Sequence, residues 1–436
     1  MRLLLLFLLA LSCAQSGDLP AFPGAEGFGA KSIGGRGGRV IKVTNLNAAG
    51  PGSLQAACEA PGPRIVVFAV SGVIKGDVSI KHPRITIAGQ TAPGAGITIE
   101  GMLKNPYRIQ PNLHDVTIRY LRVRPPRPTR VDASHDGIQL TDIDRLILDH
   151  ISVSWAADEN IDVCNSRELT IQWSAIEESE TEGHEKGQHN FGLIMGYKGH
   201  SATVHHNLFA HHLRRAPLSG LEVLDHRNNV IYNMRRGIYW HPPRMNESRP
   251  GKGFRANIVA NYFLPGPNAR AIESAIDAKA AEEIYAAGNH FEGAGGVVDP
   301  WQHPLNRSIF LEYPIRAREP WPAPAVATQS AAQAFEKVLQ LAGCLPRDAV
   351  SRRTVEEIRG RSGAWGRHDP PGGLMAGLNP AAAPPDKDDD GLPDAWERAH
   401  KLNPEDPADS SRIGPGGYVW IEVYVNELAD RLAGRP

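Results

Sequence analysis

Between residues 85 and 291 the chain alternates short apolar, β-branched runs with clusters of Gly, Asn, Asp and Pro. Residues 84–87, 116–120, 146–155, 169–176 and 203–209 read as strands, and no helical period stands between them. Aligned on a polar residue followed by apolar ones, the runs bring His150, Trp173, Asn207, Asn229, Asn261 and Asn289 into one column, at intervals of 23, 34, 22, 32 and 28 residues. Each unit is too short to bury its own apolar face and must stack on the next. The pattern predicts an all-β chain, a parallel β-helix whose longer intervals are insertions. Asn207, Asn229, Asn261 and Asn289 would then form an amide ladder at successive corners. A β-sandwich is the alternative for many short strands. The spacing of Ala332, Phe335, Val338, Leu339 and Leu341 predicts a helix within 328–358, after the coils. Pro370-Pro371-Gly372-Gly373 and the run 381–385 mark 351–385 as a linker.

Composition narrows the class. Gly and Pro, 44 and 35 of 436 residues, make roughly 18% of the chain against a usual ~12%, which excludes a coiled coil or helical bundle. The glycines keep no three-residue period, which excludes collagen, and 41% hydrophobic residues argue against global disorder. With 47 Lys plus Arg against 48 Asp plus Glu, a charge-driven nucleic-acid or acidic-membrane partner has no support. Met1-Arg2, the nine apolar residues 3–11 and the small residues after them read as a signal peptide over 1–16, so a secreted protein is expected. Nine apolar residues fall short of the ~20 that span a bilayer. Cys13 is an alternative lipid-attachment site. Cys58, Cys164 and Cys344 lack C-x-x-C spacing and read as buried thiols with at most one disulfide.

Candidate chemistry is sparse on first reading. The glycine-rich stretch 24–38 lacks the spacing of a nucleotide loop and reads as an irregular segment capping the first coil. His205, His206, His211 and His212 could supply at most two convergent metal ligands, because adjacent strand residues face opposite ways. Asp136, Asp158 and Asp162 are more suggestive. Four residues of straight strand separate the last two by ~13 Å, so they share an ion only across a corner. Oxygen ligands of that kind suit a hard cation, calcium above all; a solvated acidic edge is the plain alternative.

Thr203-Val204-His205-His206-Asn207-Leu208-Phe209, running on to Arg215-Ala216-Pro217, resembles the H-H-N-aromatic segment ending in R-x-P of the secreted pectate lyases. Asp149-His150-Ile151-Ser152-Val153-Ser154-Trp155 is similar to that family's D-H-x-S-x-S-W stretch. Phe22-Pro23-Gly24-Ala25-Glu26-Gly27, residues 40–54, Ile87-Ala88-Gly89-Gln90-Thr91 and Asn228-Asn229-Val230-Ile231-Tyr232-Asn233 match in family order, over residues 20–350. The resemblance implies a right-handed parallel β-helix that cleaves polygalacturonate by calcium-assisted β-elimination. Carried over by position, Asp136, Asp158 and Asp162 would be calcium ligands and Arg215 the catalytic residue. A guanidinium is almost never neutral, so Arg215 is either the base or a cation holding developing charge. Where many members carry a substrate-binding lysine the chain reads His189-Asn190, with Lys186 nearby, and Gly220 stands where a second arginine is common. Lys186 and Arg214 are the candidate substrate-binding cations.

The C-terminus carries a separate motif. Residues 386–397 fit the EF-hand loop, with Asp386, Asp388, Asp390, Asp394 and Glu397 at positions 1, 3, 5, 9 and 12, Gly391 at 6 and the Leu392 carbonyl at 7. Residues 417–424 resemble the second half of a paired calcium repeat, but Arg412, Gly414, Gly416 and Val423 stand where ligands belong, so that half is expected to be metal-free. Residues 386–430 are expected to be a small calcium-loop appendage outside the coil stack. The leading reading is a monomeric, secreted, Ca2+-dependent pectate lyase-like enzyme. Its rivals are a β-helix glycoside hydrolase using Asp136 and Asp158 as acid and base, and a non-catalytic carbohydrate-binding protein.

Overall fold

The computed structural model of the protein describes residues 19–106, 113–131, 134–196, 199–240, 254–269, 274–277, 283–292 and 316–435. The expected signal peptide and Cys13 lie outside them. The described strands form three parallel sheets: sheet 1 of ten strands, from Arg39–Val43 to Glu283–Ala287, sheet 2 of nine, from Gly72–Lys75 to His290–Phe291, and sheet 3 of eight, from Val78–Ser79 to Ser274–Asp277. The chain visits them in rotation, as in Asp144–Asp149, Ser152–Val153 and Glu159–Asp162, and every strand pairs with its equivalents one coil away. This is the right-handed parallel β-helix, and the sandwich alternative falls. Inside, like stacks on like: Val116, Leu146, Leu169, Ala202 and Leu224 align in one buried column and Ile118, Leu148, Ile171 and Val204 in another.

The corner between sheets 1 and 2 fixes this register. Tyr120, His150, Trp173, His206, Asn228 and Ala260 all take positive φ there, between 49° and 55°, a conformation uncommon outside glycine. Their side chains stack outside: ring centroids lie 4.6 Å apart for Tyr120 and His150 and 4.3 Å for Trp173 and His206. The next residue of each coil turns inward. The Asn207 N–H and Nδ2 donate to Asn229 Oδ1 at 2.9 and 3.0 Å, Asn229 donates likewise to Asn261, and Asn261 to Asn289. His150 and Trp173 therefore do not belong to the ladder column; the equivalents of Asn207 are Ile151 and Ser174, and the Ser174 N–H donates to Asn207 Oδ1. Aligning on polarity placed the two rings one residue out, because the aromatic stack and the amide ladder occupy adjacent columns.

Three further expectations are corrected by packing across the coils. The segment 24–38 does not cap the first coil but runs along the outer face of sheet 1, its Gly29 and Gly35 N–H groups donating to Thr170 and Thr86 hydroxyls. A Cβ on Gly29 or Gly35 would come within 2.3 or 1.8 Å of a strand carbonyl, so only glycine permits the approach. Residues expected as one helix form two, Ala331–Leu341 and Ala349–Gly360, the second occupying the start of the expected linker. Asp348 caps it, and Val350, Thr354 and Ile358 at four-residue spacing turn one face inward. Phe335, Val338, Leu339 and Ile358 pack on Ala175, Leu208, Val230 and Tyr232 of sheet 2. The C-terminal unit does not lie outside the stack: Leu392, Trp396, Ile421, Tyr424 and Val425 form one buried cluster with Ile65, Val67 and Ala88 of the first coils. Cys58, Cys164 and Cys344 are buried free thiols.

An Asn229→Ala variant leaves the Asn207 N–H and the Val204 carbonyl without their buried partner; at about 1–3 kcal/mol per orphaned group it should lose about 3 kcal/mol in denaturant titration. A chain truncated after Pro385 should lose on the order of 5 kcal/mol in the same measurement, since it uncovers several buried apolar side chains worth about 1.5–3 kcal/mol each.

Candidate active site

Stacked turns at the entry to sheet 3 gather the acidic residues. The Ala157 and Asp158 N–H groups donate to the His135 carbonyl one coil earlier, at 2.9 and 3.1 Å. Asp136 Oδ1 accepts from the Glu159 N–H at 3.0 Å, and its Oδ2 accepts from Gln139 Nε2 at 2.8 Å. Carboxylate oxygens of Asp136, Asp158 and Glu159 consequently lie within 4.8 Å of one another. Asp162 is outside that group: it ends the strand Glu159–Asp162, and its Oδ1 accepts from the Cys164 N–H at 2.8 Å. It still acts at a distance. Burial, then the negative charges of Asp162 and Asp158, hold the Asp136 carboxyl well above the usual range, and burial with Asp158 raises Asp162.

Arg215 reaches the same place from two coils further on. Glu159, Phe191, Arg214 and Arg236 form one row across sheet 3. Arg215 follows with φ of 80°, held by the Leu193 N–H donating to its carbonyl at 2.8 Å. A Cβ on Gly192 would sit 2.5 Å from that carbonyl, so the glycine makes room for it. The Arg215 guanidinium lies 4.0 Å over the Phe191 ring and pairs with Glu159; Arg214 lies 4.9 Å over the same ring. Lys186 is exposed on the adjoining loop, where its N–H donates to His184 Nδ1. His184 and His189 stack at 3.9 Å, and Asp158 Oδ1 faces His189 Nε2 at 3.0 Å. Glu159, His184 and His189 were not foreseen. Glu159 was legible only as a neighbour of Asp158, whereas the histidines come from an insertion whose path no period marks.

The four histidines of 205–212 have separate, buried partners. His205 and His206 meet through Nδ1, His211 faces Glu357, and His212 bonds Ser179 Oγ and the Ile176 carbonyl. Burial pushes the last down to about 3.

A second acidic group lies in the C-terminal unit. Asp386, Asp388 and Asp390 converge within 4.8 Å, and Asp390 converges likewise with Glu397 and with Asp409. The Gly391 N–H donates to Asp386 Oδ2 and the Leu392 N–H to Asp390 Oδ1, which curls the loop. Asp394 accepts from the Lys387 N–H, and Leu392 buries its side chain. Asp409 was missed because it lies between the loop ending at Glu397 and the second half-repeat whose first position is Arg412. Burial, then the surrounding carboxylates, push Glu397 up to about 8, and burial foremost pushes Asp390 up to about 6.

No protein-family model matches the chain. Among curated proteins, the probable pectate lyase C of Aspergillus fumigatus is 34% identical over 440 residues, covering 98% of this chain and 97% of that protein. The probable pectate lyase C of Neosartorya fischeri is 35% identical over 433 residues, with the same shares. The chain belongs to the pectate lyase family. Solved structures show the same fold: the thermostable pectate lyase PL 47 superposes with TM-score 0.53 at 15% identity, covering 76% of this chain and 99% of that one. Pectate lyase Bsp165PelA from Bacillus sp. N165, solved in complex with trigalacturonate, gives 0.50 at 17% identity, covering 73% and 98%. Within this family member, Asp136, Asp158, Glu159, Arg214 and Arg215 lie at the entry ends of neighbouring sheet 3 strands.

Raised carboxyl groups make the fold hold protons more tightly than the unfolded chain does, so the stability they confer is present at low pH and lost as pH rises. In chelator, the thermal unfolding midpoint should therefore fall as pH climbs from about 5 to about 8, and Glu397→Gln should flatten that slope.

Proposed function

We propose that the protein is a secreted lyase that cleaves polygalacturonate by calcium-assisted β-elimination. The observation that carries this reading is the convergence of Asp136, Asp158 and Glu159 opposite Arg215, with Arg214 and Arg236 extending the row. An acidic cluster beside a row of cations suits a polyanion that needs a metal to approach. The donor set fits a hard cation: carboxylate oxygens of Asp136, Asp158 and Glu159 converge within 4.8 Å of one another. His184 and His189 stack nearly parallel, 9° apart, and a nitrogen of each lies within 4.8 Å of the other and of an Asp158 oxygen; imidazole nitrogens are not the oxygen donors calcium takes, so the pair is read as support for Asp158 rather than as calcium ligands.

Asp136, Asp158 and Glu159 would hold the calcium, and Asp162 would add negative charge behind them. When bound, calcium neutralises the substrate carboxylate and so acidifies the proton on the adjacent carbon. Arg215 takes that proton as a neutral guanidine, or stays charged and holds the developing charge while solvent takes the proton; the electron pair left on carbon forms the double bond, and the glycosidic oxygen leaves with the C–O pair. Glu159 keeps the Arg215 guanidinium in place before substrate arrives. Arg214, Arg236 and Lys186 bind neighbouring uronate carboxylates. The loop 386–397 is proposed to hold a second calcium. Among the described residues no helix is long and apolar enough to cross a membrane, and the reading of 1–16 as a signal peptide supports secretion.

The test is purified protein on polygalacturonate. Elimination yields an unsaturated uronate that absorbs in the ultraviolet, only with calcium present; new reducing ends without that absorbance mean hydrolysis. Arg215→Ala should cut turnover by about 10³-fold or more with substrate binding retained, and Arg214→Ala should mainly raise KM, by about 10-fold. Asp158→Ala should raise the calcium concentration for half-maximal activity markedly, and Asp162→Ala much less, because Asp162 stands outside the three-carboxylate group. Equal effects of the two would reject this arrangement of ligands.

A further inference from the structure

The unfinished business of the molecule lies in its C-terminal unit. Glu397 is 0% exposed and neither of its carboxylate oxygens has a hydrogen-bond partner. Asp409 is 1% exposed; its Oδ2 accepts from the Asn403 N–H, while its Oδ1 is buried without a partner. A buried carboxylate with no donor is a large cost that a native fold does not carry unless something compensates it. Both acids converge with Asp390, which also belongs to the Asp386–Asp388 group, so two groups of three share one carboxylate, and the charges of the other four all act on Glu397. Lys42 is paired with Asp386 and Asp389, and among the described residues no ion pair reaches Glu397 or Asp409.

The five ligands come from separate parts of the unit. Three are in the loop after Pro385, Glu397 is in the helix Asp394–Ala399, and Asp409 begins the turn that leads to the helix Trp420–Leu432. That last helix is the one seated on the β-helix. Its Glu422 pairs with Arg36 at 3.0 Å, its Asn426 accepts from Arg119 Nη1 at 2.9 Å, and the Ala429 carbonyl accepts from the Tyr120 hydroxyl. Lys42, on the first strand of sheet 1, joins the loop itself to the coils.

We infer that a calcium ion held jointly by Asp386, Asp388, Asp390, Glu397 and Asp409 is a clasp that locks the C-terminal helices onto the first coils of the β-helix. The inference rests on the reading of 386–397 as a calcium-binding loop, and it adds two things to that reading: a ligand from beyond the loop, and a stabilising role distinct from catalysis. Because the ion binds the folded arrangement and not the unfolded chain, it raises stability by mass action. None of its ligands belongs to the group at sheet 3, so the two calcium dependences separate.

The experiment uses the full chain, with calcium chloride and EGTA as the only additions. Calorimetric titration of wild type should show one more binding event than the Glu397→Gln variant. Asp409→Asn should weaken that same event by about 10-fold or more. Calcium should raise the wild-type unfolding midpoint by about 5 °C or more, and this rise should largely vanish in both variants. Hydrogen exchange on wild type guards against misfolded variants: EGTA should raise deuterium uptake across 386–432. Unchanged stoichiometry in Glu397→Gln would overturn the loop reading and the clasp with it. Loss of an ion in Glu397→Gln, with wild-type affinity in Asp409→Asn or with uptake across 420–432 indifferent to EGTA, would leave the loop reading standing and overturn the clasp.

Discussion

Everything in this molecule depends on coil-to-coil register. A parallel ladder tolerates no slip, because a shift of one residue would turn every inward side chain outward. The register is held where sheet 1 turns into sheet 2: in six consecutive coils, from Tyr120 to Ala260, a left-handed residue makes the corner, and from Asn207 onward the following Asn donates its N–H groups to the Asn of the next coil. The active site is a consequence of that repetition. Asp136, Glu159, Phe191 and Arg214 are far apart in sequence, but they stand at one height on four consecutive coils. A reaction site assembled this way needs no special loop to aim its groups, only a register that does not drift.

Charge is the second organising force, and it is local. A net charge of −1 conceals two pockets of carboxylates and a row of arginines. At sheet 3 the acids lie beside Arg215, so the pairing of Glu159 with Arg215 partly neutralises them. In the C-terminal unit no cation among the described residues bonds Glu397 or Asp409, and burial, foremost, drives Glu397 to hold its proton far above the usual carboxylate range. The first arrangement stays poised for a charged substrate. The second is an arrangement whose charge a bound cation would neutralise.

The strands and the Asn ladder were legible because a repeat writes the same requirement several times. What each coil needs only once was harder to see. Glu159 reads as one more polar strand residue until its neighbour from the previous coil is known, and His189 sits in an insertion between strands. Asp409 lies 12 residues beyond the loop it faces. The N-terminal strap and the C-terminal helices escaped for the same reason: Gly29 against Thr170, or Tyr424 against the first coils, is a contact between distant residues that no local period encodes. Of the EF-hand positions, Asp386, Asp388, Asp390 and Glu397 fall in the two acidic groups of the C-terminal unit, while Asp394 accepts from the Lys387 N–H.

The central claim is that register brings three carboxylates and Arg215 to one reacting carbon. A crystal structure of the protein with calcium and an oligogalacturonate tests it most directly. The account predicts an ion among Asp136, Asp158 and Glu159, bridging to a uronate carboxylate, with the Arg215 guanidinium released from Glu159 and directed at the adjacent carbon. An oligosaccharide bound along another face, or an Arg215 still paired with Glu159 and out of reach of the sugar, would contradict it.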